Sequence, residues 1–167
     1  MTEKIYRSYL EIRSLDELKE VKRPAENYSV ELVDPKDFQL NKFFYKTIGK
    51  NCQWIDRLIW TELNWIDYIS NDQLFTYILK DKSEIAGYFE LLFNKDNKNS
   101  EIAYLGILDE YFGQKLGGYL LSEAIKNSFN LGCKRVWVHT CSLDHKNALK
   151  NYLARGMKIF KSESLIR

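Results

Sequence analysis

Between Tyr111 and Gly132 the chain reads YFGQKLGGYLLSEAIKNSFNLG, and three of its eight glycines, Gly113, Gly117 and Gly118, fall within six positions. They stand immediately ahead of the most amphipathic helical stretch in the sequence. A glycine-rich turn opening a helix suits phosphate. The first backbone N–H groups of a helix have no internal acceptor, and the macrodipole adds about half a positive charge there, so an anion can be held without basic side chains. Two phosphate motifs fail on the residues present. Gly113 and Gly118 have P-loop spacing, but Tyr119 and Leu120 stand where that loop needs its lysine and its magnesium-binding hydroxyl. A dinucleotide fingerprint needs GxGxxG and an acidic residue about 20 positions on; the glycine spacing differs, and the strand VWVHTC ends without an acid.

The elements that must position this turn follow from periodicity. YRSYLEIRS alternates weakly, and Ser14 to Glu17 matches a capping box for a short helix ending near Pro24. SVELV reads as a strand. Asp34 and Pro35 form an N-cap and N1 pair for a helix carrying Phe38, Phe44, Tyr45 and Ile48, and Thr61 caps another whose Leu63, Ile66 and Ile69 share one face. From Leu74 the period changes. LFTYILKD, EIAGYFELLF and EIAYLGIL, separated by polar turns, read as three sequential antiparallel strands. Leu116, Leu120, Leu121, Ala124, Ile125 and Phe129 stripe the next helix, which Gly132 ends as its C′ residue. A buried strand KRVWVHTC, a helix HKNALKNYLARG stopped by Gly156 and a closing strand MKIFKSES complete the chain. The predicted class is α/β with a central mixed, mostly antiparallel sheet flanked by helices. One domain over residues 1–167 is expected, with 1–27 as an N-terminal strand and helix packed on it.

The stretch LGILDEYFGQKLGGYLL resembles the central motif of the GNAT superfamily, the acyl-CoA-dependent N-acetyltransferases: a strand, an acidic turn, then Q/R-x-x-G-x-G/A opening a helix. HKNALKNYLARGM resembles that family's last helix, with Ala148, Tyr152 and Gly156 in its recurring Ala, Tyr, Gly spacing. The resemblance covers residues 74 to 163. Aligned on Gly117, Phe112 stands at the family's leading Gln/Arg and Lys115 at its first glycine.

The resemblance implies acetyl-CoA as co-substrate and no metal. It places coenzyme A against Ile107 and Leu108 of one strand, Gln114, Lys115, Leu116, Gly117 and Gly118 at the helix opening, and His145 and Asn147 ahead of the last helix. It also implies two proton transfers. An amine of pKa near 10.4 is almost wholly protonated at neutral pH, so a base must free it; Glu101 is preferred, Glu90 second, with His139 as a further candidate. Tyr152 is the general acid for the departing thiolate. The implied reaction is acetyl transfer to a primary amine of a small molecule or peptide by direct attack in a ternary complex. A non-catalytic coenzyme A-binding or protein-interaction module of the same fold is the alternative, favoured by Phe112 and Lys115. Adjacent strand positions face opposite ways, so Cys141 reads as a packed thiol rather than a nucleophile paired with His139. The tryptophans Trp54, Trp60 and Trp65 read as core, with an aromatic wall of the acceptor pocket as the alternative that the family resemblance offers.

Composition restricts the partners. A formal net charge of +2 gives no electrostatic case for nucleic acid or an anionic membrane. Three scattered cysteines and two histidines offer no metal-ligand spacing and suit a reducing cytoplasm. No apolar run reaches the ~20 residues of a membrane span, and residues 1–18 lack a signal-peptide core. A cytoplasmic monomer or homodimer is expected.

Overall fold

The computed structural model describes residues 2–166. One seven-stranded sheet is built from β1 (Lys4–Ile12), β2 (Tyr28–Leu32), β3 (Leu74–Asp81), β4 (Glu84–Asn94), β5 (Asn99–Ile107), β6 (Arg135–Cys141) and β7 (Lys158–Ile166) in the order β2-β3-β4-β5-β6-β1-β7. All neighbours are antiparallel except β5 and β6. That parallel pairing lasts only from Asn99 opposite Arg135 to Glu101 opposite Trp137, after which the two strands part. A bulge lies just there: Glu90 is opposite Tyr104 and Leu91 opposite Ile102, so Ala103 is the extra residue on β5.

Helices α1 (Phe38–Cys52), α2 (Glu62–Ile69), α3 (Leu116–Asn130) and α4 (Ala148–Ala154) flank the sheet. The stripe of α3 buries Leu116, Leu120, Leu121, Ala124 and Ile125 in the main core, with Leu10, Ile12, Val136 and Val138 from β1 and β6. Around the α1 side, Phe44 and Ile48 pack on Ile78 and Tyr88, with the Phe44 and Tyr88 rings stacked 4.7 Å apart. No helix among the described residues is long and apolar enough to cross a membrane.

Three local expectations change. The helix after Ser14 is a single 3-10 turn, Leu15–Glu17, because tertiary hydrogen bonds hold the following chain extended: the Lys19 N–H donates to the Arg155 carbonyl at 2.9 Å and the Val21 N–H to Ser122 Oγ at 2.9 Å. Helix α1 is capped by Asp37, whose side chain accepts from the Gln39 N–H, while the Val33 N–H stays bonded to the Thr76 carbonyl and keeps Asp34 and Pro35 outside the helix. In α2, Thr61 does form the cap, but the inward face is Trp65 and Ile69, with Leu63 70% exposed. The larger indole takes the core position against Tyr45 and Trp60.

Candidate functional site

Helix α3 opens without a side-chain cap, and its N-cap, Lys115, is left-handed at φ 63°, two residues after Gly113 at φ 79°. The first-turn N–H groups of Leu116, Gly117 and Gly118 therefore face outward with no intrahelical acceptor. The adjacent glycines differ in surroundings. A Cβ on Gly117 would meet only Asn151 Nδ2, at 3.7 Å, whereas one on Gly118 would collide with Arg155 and Val21. Gly118 allows close packing; Gly117 keeps a surface bare. Asn151 Nδ2 donates to the Gly117 carbonyl at 3.0 Å and ties α4 to this turn.

The separation of β5 and β6 leaves two cavities. One, of about 650 Å³, runs along Leu105, Gly106 and Ile107 to Lys115, Leu116, Gly117 and Gly118, and is closed on the other side by residues 145–148 and Asn151. Lys146 and Lys150 add positive charge to it. The other, of about 530 Å³, is lined by Glu101, Tyr104, His139 and Cys141 and by Trp54 and Arg57 from the α1–α2 loop. Both cavities are bounded by Cys52, Leu105, His145, Ala148 and Tyr152. They meet where the sheet splits.

Tyr152 is 8% exposed, and among the described residues its hydroxyl has no hydrogen-bond partner. Burial pushes this phenol well above its ordinary pKa, with Asp144 and Cys52 acting the same way. Glu101 is half-buried and unpartnered among the described residues; burial raises its carboxyl above the usual range while the Arg57 charge pulls it down. His145 Nδ1 accepts from the Asn147 N–H at 3.1 Å, and its ring meets Phe112 edge-on at 5.4 Å. The loop holding His145 is fixed by Asp144, which accepts from Thr140 Oγ1 at 2.5 Å and the Cys141 N–H at 3.1 Å.

Three expected site residues lie elsewhere. Glu90 is fully buried, accepts from Tyr68 and Asn41 and pairs with Arg57, and it lines neither cavity. Its carboxylate oxygens are engaged inside the protein. Leu108 is buried between α1 and the sheet, where its N–H donates to the Ala86 carbonyl. Gln114 turns its amide oxygen to the Tyr28 hydroxyl at 2.8 Å and lines neither cavity. Ile107, Lys115, Leu116, Gly117, Gly118, His145 and Asn147 all border the first cavity. His139 and Cys141, two positions apart, line the same wall, so the opposite-face argument applies to the buried Thr140 between them. Trp54, expected in the core, lines the second cavity, and Arg57, Lys146 and Lys150 are lining residues that the sequence does not single out. The two lysines stand four residues apart in one local segment, whereas the Arg57 cage joins its near neighbours Trp60, Trp65 and Tyr68 to Tyr45, Glu90 and Tyr104, which lie 12, 33 and 47 positions away.

The model of the acetyltransferase (GNAT) family matches residues 38–157. No curated protein matches the chain. Among solved structures, a GCN5-related N-acetyltransferase from Sphaerobacter thermophilus superposes with a TM-score of 0.71 at 14% identity, covering 97% of this chain and 50% of that one. A functionally unknown conserved protein from Staphylococcus epidermidis gives 0.68 at 15%, covering 99% and 62%. An aminoglycoside acetyltransferase from an uncultured soil metagenomic sample, in complex with trehalose, gives 0.64 at 13%, covering 80% and 90%. At these identities the likeness is one of fold, and the chain spans between half and about three-fifths of the length of the first two structures.

Proposed function

The chain belongs to the acetyltransferase (GNAT) family, and on that footing we propose that it transfers an acetyl group from acetyl-CoA to a primary amine of a small molecule or peptide by direct attack in a ternary complex. The observation that carries this reading is the meeting of the two cavities at Leu105 and Tyr152, one lined with N–H groups and lysines suited to phosphate and the other with a carboxylate suited to act as a base. Coenzyme A suits the first cavity on three counts: the bare Gly117, the unpartnered N–H groups at the α3 N-terminus, and the β5 edge beyond Glu101 that has no β6 partner. When bound, acetyl-CoA supplies an activated acyl thioester.

Each protein group has a separate task. The N–H groups of Leu116, Gly117 and Gly118 hold pyrophosphate oxygens, with Lys115, Lys146 and Lys150 at hand for charge. The free edge of β5 between Leu105 and Ile107 offers backbone groups to amides of the pantetheine arm and an N–H to the developing oxyanion. Glu101 takes the proton from the acceptor ammonium, directly or through water. Glu90 has no part in this proton transfer. Tyr152 carries its proton at any physiological pH, and a phenol harder to ionise than a thiol of pKa about 8.5 acts chiefly as a hydrogen-bond donor to the developing thiolate. Its role is thus closer to an oxyanion-hole donor than to a free proton source.

Coenzyme A is expected to raise the melting temperature by mass action, by the equivalent of about 2.7 kcal/mol at 100 times its Kd. Gly117→Val places a side chain in open space, so the free protein should fold, and the ligand-induced shift should largely vanish. A Gly117→Val protein that shifts with coenzyme A as the parent does would refute the pyrophosphate assignment.

A further inference from the structure

Among the described residues, Arg57 is the one cation lining the second cavity that is enclosed by the protein's own rings. Its guanidinium carbon lies 4.1 Å from the ring centre of Tyr68, 4.3 Å from Tyr104 and 4.7 Å from Trp60, with Tyr45 and Trp65 at 5.6 and 5.7 Å. Its Nη1 is 3.4 Å from Glu90 Oε1, and the backbone N–H of Arg57 donates to the Tyr45 hydroxyl at 2.9 Å. Glu90 is locked in turn, by the Tyr68 hydroxyl at 2.6 Å and Asn41 Nδ2 at 2.7 Å. Aromatic faces and a buried carboxylate both attract a cation, so this side chain has one place to be.

The bulge at Ala103 connects this cage to the candidate base. In an unbulged strand, residues 101 and 104 would point to opposite faces. Here Glu101 is opposite Leu92 and Tyr104 opposite Glu90, two positions apart on β4, so the extra residue puts both side chains on one face. Glu101 and Arg57 consequently line one cavity, and Trp54, three residues before Arg57, meets Tyr104 edge-on at 4.8 Å as part of the same wall.

Resting on the acetyl-transfer reading above, we propose that Arg57 is a positioning residue for Glu101: the cage fixes the acceptor wall and holds a permanent positive charge on the cavity that the base also lines, keeping its carboxylate form available. The other titratable groups facing Glu101 are Asp56 from the α1–α2 loop, Tyr104 on its own strand, and His139 and Cys141 on β6. Cys52 on α1, Arg7 on β1, Asp144 and His145 in the β6–α4 loop and Tyr152 on α4 complete the set among the described residues. Arg7 is partly neutralised by Glu163 at 3.7 Å, and Asp144 is held by hydroxyl and N–H donors. Arg57 is the charge set against the effect of burial on Glu101. Burial opposes the charge of Arg57 itself, and the Glu90 carboxylate together with Tyr68 and Tyr104 outweighs it, so the guanidinium stays charged.

The test is a comparison of pH profiles. For kcat/KM of acetyl transfer, Arg57→Met should move the acid limb up by roughly one pH unit, Glu90→Gln should move it down, and Arg57→Lys should keep it near the parent position with lower turnover. Carboxyl-carbon NMR titration of Glu101 in the substrate-free parent, Arg57→Lys and Glu90→Gln should give the same order of pKa values, and it decides the matter if Arg57→Met does not fold. A role confined to packing predicts lower turnover at every pH with the limb and the Glu101 titration unmoved, and that result would overturn the proposal. A parent protein that releases no thiol with any amine would defeat the acetyl-transfer reading, while the NMR titration still reports separately on the Arg57 and Glu101 coupling.

Discussion

Replacing Glu101 by glutamine is expected to lower kcat/KM for acetyl transfer by roughly 10²- to 10³-fold at neutral pH and to remove the acid limb of the profile. The amide keeps the volume and loses the capacity to take a proton, so the residual rate should rise with pH only as the amine frees itself. Stability should move the other way. The folded-state pKa of Glu101 is raised by burial, with Arg57 in partial opposition. A raised carboxyl favours its neutral form in the fold, so ionisation costs stability above the folded pKa, and that cost disappears below the unfolded value near 4.5. Glu101→Gln should therefore melt at or above the parent temperature at neutral pH, with the difference vanishing in acid. Loss of activity together with a melting temperature below the parent's at neutral pH would mark a structural carboxylate instead.

Tyr152→Phe is expected to reduce kcat about 10²-fold with coenzyme A affinity nearly unchanged, the cost of deleting one donor aimed at developing charge. Tyr152 borders both cavities, and its hydroxyl has no hydrogen-bond partner among the described residues. Its removal breaks no internal bond, and the ring stays in the core cluster with Ala148 and Leu149. Melting temperature should hold. Rate and melting temperature measured on one preparation distinguish the two roles, because a purely packing tyrosine would keep its rate.

Much of the scaffold was readable from local pattern. The three strands from Leu74 to Ile107, the α3 stripe, the Thr61 cap and the Gly156 stop all depend on neighbours within a turn or a strand. What depended on distant partners was not readable. β1 alternates weakly, yet it lies inside the sheet between β6 and β7, where both edges are paired. The inward face of α2 was misjudged because Leu63 and Ile66 have the right spacing, but Trp65 finds Tyr45 from another helix. Gly117 and Gly118 look alike as letters, and only Arg155 and Val21 make one a packing glycine and the other an open cradle. Glu90 ranks second to Glu101 as a base on sequence, and in the fold Arg57, Tyr68 and Asn41 close around it. Its strand position is visible in sequence; its counter-ion from the α1–α2 loop is not.

The most direct test of acetyl transfer is to incubate the protein with acetyl-CoA and a panel of primary amines, following free thiol while mass spectrometry reads each amine for added acetyl. The account predicts thiol release that requires an amine and matches the acetylated product mole for mole. Stabilisation of the fold by coenzyme A, with no amine acetylated and no thiol released, would contradict it and leave a binding module of the same fold.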